Sequence, residues 1–229
     1  MKFGSLFAGV GGFDLGLERS GMTCQWQVEI EDYPTKILEK HWPEVHRERD
    51  IKECSGENLE PVDLICGGFP CQDISVAGTG AGLAGERSGL WYEMYRIISD
   101  IKPRWVIVEN VAALLHRGMD VVLRDLSQVG YDCEWHIISA SAVGAPHRRE
   151  RVWIIANANG FGTQIQAPRE KPAKQMLERF SWWKVEPGVD RMAHGVPERM
   201  ARLKAIGNAV VPQIVELIGR RIMEIEGNL

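Results

Sequence analysis

A chain of 229 residues with 45% hydrophobic and 25% charged side chains is long enough to bury a full domain core and has the composition of an ordinary soluble domain. No run approaches the roughly 18 consecutive apolar residues of a membrane helix, and Lys2 leads directly into a strand-like run without a signal-peptide pattern, so a cytoplasmic protein is expected. The five cysteines (Cys24, Cys54, Cys66, Cys71 and Cys133) are odd in number, form no CxxC pair and have no matching His cluster, which argues against a disulfide framework and against a metal site.

Short apolar runs alternate with amphipathic segments along the first two thirds of the chain. Lys2 to Phe7 reads as a strand and Phe13 to Ser20 as a helix. Gln25 to Glu29 and Tyr33 to His41 repeat the pair. Val62 to Cys66 is a strand, Leu90 to Ile101 a helix, Trp105 to Glu109 a strand and Val121 to Val129 a helix. This βαβ rhythm predicts an α/β fold, a Rossmann-like, doubly wound, mostly parallel sheet. Trp105-Val-Ile-Val-Glu109 shows no polar alternation, as expected of a central strand covered on both faces. Tyr131 to Ser139 and Arg151 to Ala156 are strand-like with no helix-length segment between them, so the last pair is expected to be antiparallel. From Asn157 to about Asp190 the pattern gives way to Gly, Pro, Gln and charge, a small irregular lobe. Pro212 to Ile225 reads as a final helix docking back on the sheet. The expected division is a catalytic domain over 1–156, a short lobe over 157–200, and a segment over 201–229 that completes the first domain.

The net charge of −4 hides an asymmetry. Residues 147–221 carry 14 Lys/Arg against 7 Asp/Glu, whereas residues 1–146 carry 13 against 22. Local clustering governs phosphate binding, so the C-terminal third is the candidate nucleic-acid face. A solvated basic surface fits the same numbers.

Ligands of doubly wound sheets bind beyond the C-terminal strand ends. After the first strand comes Phe7-Ala-Gly-Val-Gly-Gly12, a turn whose glycines let a cofactor approach a helix N-terminus. Glu29 closes the second strand, about 20 residues later, where a carboxylate accepts from ribose hydroxyls. Together they point to a nucleoside-bearing cofactor without separating a nicotinamide from S-adenosylmethionine. After the third strand comes Gly67-Gly-Phe-Pro-Cys-Gln72. A thiol held after a proline at a strand's ligand end becomes a nucleophile if nearby positive charge lowers its pKa; a structural thiol beside a surface loop fits the same residues. Gly78 to Gly89 holds five glycines in twelve residues and suits a loop that closes over substrate. Glu109-Asn-Val111 ends the most hydrophobic strand, where burial keeps a carboxyl protonated and able to donate to a ring nitrogen. In His147-Arg-Arg-Glu-Arg151, Arg149 and Arg151 are two apart and expected on one side of an extended segment, in reach of a base carbonyl or phosphates.

With these residues assembled, the chain resembles the DNA (cytosine-5) methyltransferase family. The matching stretches are Phe7 to Phe13, Gly68 to Gln72, Glu109 to Val111, Pro146 to Val152 and Gly207 to Pro212, in the family's order. The resemblance implies methyl transfer from S-adenosylmethionine, with S-adenosylhomocysteine as product, to a cytosine flipped out of double-stranded DNA. Cys71 is then the nucleophile, Glu109 the partner of ring nitrogen 3, Arg151 the holder of the base carbonyl, and Arg149 a residue that positions Cys71 and the base. It also implies a cofactor site of Phe7, Gly9, Gly11, Gly12, Glu29, Ile30, Asp50, Ile51, Leu90 and Asn208. Gln72, Ser75 and Arg87 would contact DNA. A bacterial or phage-encoded, monomeric enzyme is expected, with an accessory partner conceivable because the lobe over 157–200 is shorter than the family's target-recognition region. Trp182 and Trp183 in that lobe fit its own core better than stacking on bases. The alternatives are an RNA methyltransferase on the same scaffold and a catalytically silent DNA-binding subunit, against which the complete set of Cys71, Glu109, Arg149 and Arg151 stands.

Overall fold

The computed structural model describes residues 1–70, 89–158 and 199–227. Seven strands among them form one sheet: β1 (Lys2–Leu6), β2 (Thr23–Val28), β3 (His46–Glu48), β4 (Leu64–Gly67), β5 (Trp105–Val111), β6 (Asp132–Ser139) and β7 (Glu150–Asn157). Their spatial order is β3-β2-β1-β4-β5-β7-β6. Pairing is parallel from β3 through β5, and β7 enters antiparallel between β5 and β6. The strand order reverses between β1 and β4, the switch point where such sheets open a crevice at their carboxyl edge.

Among the described residues six α-helices flank it: α1 (Gly12–Arg19), α2 (Asp32–His41), α3 (Gly89–Ile101), α4 (Met119–Gln128), α5 (Arg199–Asn208) and α6 (Pro212–Ile225). One core lies under α3 and α4, where Trp91, Met94, Ile98 and Leu126 meet Val106, Val108 and Ile154. The other lies under α1 and α6, where Phe13, Leu17, Ile214 and Ile222 meet Trp105, Ile107 and Trp153. Alternate residues of β5 therefore serve opposite cores, which is why this strand shows a continuous apolar run. The final helix does dock on the sheet, and Pro212 occupies its first turn, where a missing N–H is harmless.

One strand boundary is corrected. The strand expected from Val62 begins at Leu64 as β4, and Asp63 just before it is already tied to both neighbouring strands: its N–H donates to the Lys2 carbonyl and its carbonyl accepts from the Trp105 N–H, each at 3.0 Å, while its carboxylate accepts from the Lys2 N–H at 2.8 Å. The edge strand β3, His-Arg-Glu, has no apolar signature, being only three residues long and partly exposed. Among the described residues no helix is long and apolar enough to cross a membrane, and no group of three or more His, Cys, Asp or Glu is arranged to hold a metal ion.

Candidate active site

Strand register aligns the predicted site. Leu6 pairs with both Val28 and Gly67, and Gly67 pairs with Val108. The residues that follow these in each strand, Phe7, Glu29, Gly68 and Glu109, therefore form one row along the carboxyl edge.

On the β1–β2 side, the backbone turns sharply at Phe7, with φ of 54°, and again at Gly9, with φ of 56°. A positive φ at a bulky residue is strained and marks a turn the surrounding structure imposes. Glu29, only 7% exposed, accepts from the Gly9 N–H at 2.7 Å and from the Glu31 N–H at 2.8 Å. Burial raises its pKa, with the two backbone bonds working the other way. The glycines divide by what they meet. A side chain at Gly9 would find open space, with its nearest neighbour, the Phe7 carbonyl, 3.9 Å away. At Gly11 it would strike the Trp42 ring at 2.4 Å and at Gly12 the Val210 carbonyl at 2.7 Å. Gly11 and Gly12 are thus required by the protein's own packing, and Gly9 is the one that leaves room for a ligand. Ile30 stands 61% exposed beside Glu29, an apolar face without a core partner. Asp50 is half-buried and caps the 3₁₀ turn Ile51–Glu53 by accepting from the Lys52 N–H at 3.0 Å, with Ile51 itself buried. Leu90 lies in the first turn of α3, partly buried against the core beneath it. Asn208 is exposed at the end of α5, two residues before the Val210 carbonyl that sits on Gly12. Lys204 of α5 donates to Glu31 at 2.7 Å, so that helix spans toward the Glu29 side. An open glycine turn, a carboxylate with its oxygens aligned by backbone amides, and a solvent-facing isoleucine make a cradle that fits a nucleoside with a charged tail.

On the β4–β5–β7 side, Glu109 is 7% exposed and pairs with Arg151, whose Nε lies 3.1 Å from Oε1. Val111 is opposite Arg151 and Glu109 opposite Trp153, so the ion pair is a diagonal across the ladder, on the α1/α6 face. Burial pushes the Glu109 carboxyl up to about 7, with Arg151 and then Arg149 opposing. A side chain at Gly68 would come within 3.0 Å of Glu109 Oε2, so the end of β4 passes directly against this carboxyl. The neighbouring Asn110 points to the opposite face, and its Nδ2 donates to the Phe69 carbonyl at 3.0 Å. This pair of contacts pins Gly68 and Phe69, one residue before Pro70. Composition does not single out the asparagine; its place beside Glu109 in a strand does, since alternation sends adjacent side chains to opposite faces.

Arg149 has a φ of 35°, which breaks the extended run before β7 begins, while its charge still acts on both Glu109 and Arg151. Its guanidinium donates to the carbonyls of Gly207 at 2.7 Å and Ala209 at 2.8 Å, at the joint between α5 and α6. Carbonyls at a helix C-terminus lack intrahelical donors, and a cation there is favourable. Cys71, Gln72, Ser75 and Arg87 lie outside the described residues, as do Trp182 and Trp183.

A family model for the C-5 cytosine-specific DNA methylase matches residues 1–187. The chain is 37% identical over 165 residues to the Type II methyltransferase M2.BsuMI of Bacillus subtilis (strain 168), covering 69% of this chain and 42% of that protein. It is 31% identical over 174 residues to the Type II methyltransferase M.HhaI of Haemophilus parahaemolyticus, covering 74% and 53% respectively. A crystal structure described as a DNA modification methyltransferase encoded within an E. coli prophage superimposes with a TM-score of 0.57 at 27% identity, over 69% of this chain and 46% of that one. The chain thus spans about half the length of the relatives it matches.

Proposed function

The chain belongs to the C-5 cytosine-specific DNA methylase family, and on that premise we propose that it transfers a methyl group from S-adenosylmethionine to carbon 5 of a cytosine in double-stranded DNA through a transient covalent bond from Cys71. The observation that carries this reading is the buried Glu109–Arg151 pair set against Gly68, at the strand end that runs into Pro70 and Cys71.

Carbon 5 of cytosine is a weak nucleophile, and inside a duplex it is stacked out of reach, so the base must first leave the stack. The Cys71 thiolate then forms a bond to carbon 6, and the displaced π electrons are drawn toward ring nitrogen 3, where Glu109 delivers its proton. A carboxyl held near neutrality suits that donation, because both protonation states are populated at working pH. Arg151 steadies the Glu109 carboxylate after the proton leaves and offers its remaining donors to the base carbonyl oxygen. When bound, S-adenosylmethionine supplies a methyl carbon made electrophilic by its sulfonium. Carbon 5 would take that methyl, the methyl–sulfur electron pair leaving with sulfur, while Glu109 and Arg151 hold the base. Removal of the carbon-5 proton by a base returns electrons that expel Cys71 as thiolate, and Glu109 recovers its proton from nitrogen 3.

In this reading the Gly9 turn and Asn208 border the methionine part, Glu29 receives the ribose hydroxyls, Asp50 the adenine amino group, and Phe7, Ile30, Ile51 and Leu90 flank the adenine ring. Gly11 and Gly12 contribute by letting Trp42, just past α2, and the α5–α6 joint respectively pack closely enough to shape the turn. Gln72, Ser75 and Arg87 meet the DNA. Arg149 helps position Cys71 and the base, and also braces the joint carrying Asn208.

The test is methyl transfer from labelled S-adenosylmethionine to duplex DNA, with bisulfite sequencing locating the product, alongside the Cys71→Ser variant. The wild type is expected to protect cytosines and to form a denaturation-resistant adduct with 5-fluorocytosine DNA in the presence of cofactor. Cys71→Ser is expected to lose transfer and adduct while still binding cofactor. Transfer by that variant at the wild-type rate would remove Cys71 as the nucleophile.

A further inference from the structure

The turn carrying Asp50 and Ile51 is only a three-residue 3₁₀ helix, Ile51–Glu53, and so short an element has little stability of its own. It is held from outside by Arg96, in the middle of α3. Arg96 Nη1 donates to the Cys54 carbonyl at 2.7 Å and Nη2 to the Ile51 carbonyl at 3.0 Å. The fork is aimed before it reaches the turn: Glu93, one turn earlier on α3, accepts from Nε at 2.9 Å and from Nη2 at 2.6 Å. Asp100, one turn later, lies 3.7 Å from Nη1. A planar guanidinium fixed along its Nε–Nη2 edge by a carboxylate is preorganised, so capping two carbonyls costs it little further rotamer freedom. Leu90 sits on the same helix, so Arg96 ties together two elements assigned above to the adenine site.

We propose that Arg96 is a positioning residue for adenine recognition: by clamping the Ile51 and Cys54 carbonyls it sets the orientation of Asp50 and thereby the preference for adenine over other purines. The proposal rests on the assignment of Asp50 to the adenine amino group. A ligand in which that amino group is replaced by a carbonyl oxygen faces the Asp50 carboxylate acceptor to acceptor, and discrimination depends on the carboxylate being held in place.

The experiment uses the full chain and measures, by calorimetry, dissociation constants for S-adenosylhomocysteine and S-inosylhomocysteine. Wild type is expected to prefer the adenosyl ligand by about tenfold to a hundredfold, as for a hydrogen bond to a charged group. Arg96→Met is expected to bring this ratio down to within a few-fold of unity. Arg96→Lys, which keeps the charge and stem but not the fork, should fall between the two and serves if Arg96→Met does not fold. Asp50→Ala should abolish the preference outright. If Arg96→Met and Arg96→Lys weaken both ligands equally and leave the ratio intact, while Asp50→Ala abolishes it, Arg96 is merely structural and the proposal is overturned. If Asp50→Ala leaves the ratio intact, the proposal falls together with the Asp50 assignment beneath it.

Discussion

Glu29 and Glu109 stand in one row at the sheet's carboxyl edge, each 7% exposed, and the two are held in different ways. Each carboxylate oxygen of Glu29 accepts a backbone N–H, from Gly9 and from Glu31. Among the described residues Glu109 is ion-paired with Arg151, Arg149 acts on it as well, and burial carries its pKa to about 7. Backbone amides cannot move away and bond more strongly to the charged form, so they hold Glu29 as a fixed acceptor. A guanidinium on a jointed stem can turn from the carboxyl to a ligand, which leaves the carboxyl free to hold or release a proton. The β1–β2 half is thus built to bind, and the β4–β5–β7 half to exchange protons.

The contrast is broken most severely by Glu109→Gln. The amide is nearly the same size but cannot deliver a proton, and the turnover rate for methyl transfer is expected to fall by about 10²- to 10⁴-fold, with the dissociation constant for S-adenosylhomocysteine unchanged. A loss confined to cofactor binding would reverse the roles assigned to the two halves. Glu29→Gln removes the charge and leaves a single oxygen for the two backbone N–H groups, so calorimetry should show cofactor binding weakened by about 10- to 100-fold, with turnover at saturating cofactor kept within a few-fold of wild type.

The smallest effect is on stability. The folded-state pKa of Glu109, about 7, lies above its ordinary value of 4.5, so the folded chain holds a proton that the unfolded chain has lost between these two values. Its contribution is fully present below about pH 4.5 and is lost as pH rises through 7. The melting temperature of wild type should therefore decline by about a few degrees more than that of Glu109→Gln across this window. Parallel melting curves for the two proteins would show that the carboxyl does not titrate there.

The main outline of the fold can be read from sequence because it rests on local pattern. Period-3.6 and apolar runs place β1, β2 and β5 and all the helices up to α4, and Pro212 marks the start of α6. The residues at the strand ends stand out for the same reason: a glycine turn, Glu29 and Glu109 each follow an apolar run. Elements without such a pattern are hidden. β3 is three polar residues, held in the sheet by its neighbour β2 rather than by any preference of its own. Arg96 reads as one more charge on an amphipathic helix; only its meeting with two carbonyls more than 40 residues earlier reveals its use.

The amino-acid sequence by itself determined the order of strands and helices and the chemical groups delivered to the carboxyl edge, because hydrophobic period and turn chemistry act over a few residues. The tertiary structure decided which of those groups meet. Parallel register put Phe7, Glu29, Gly68 and Glu109 in one row. Arg149, at a positive φ, met the carbonyls of the α5–α6 joint. Two of the three glycines in the first turn answered to Trp42 and Val210 rather than to a ligand. Each of these depends on backbone dihedrals or on contacts between residues distant in the chain, and such contacts leave no periodic trace in the residues that make them.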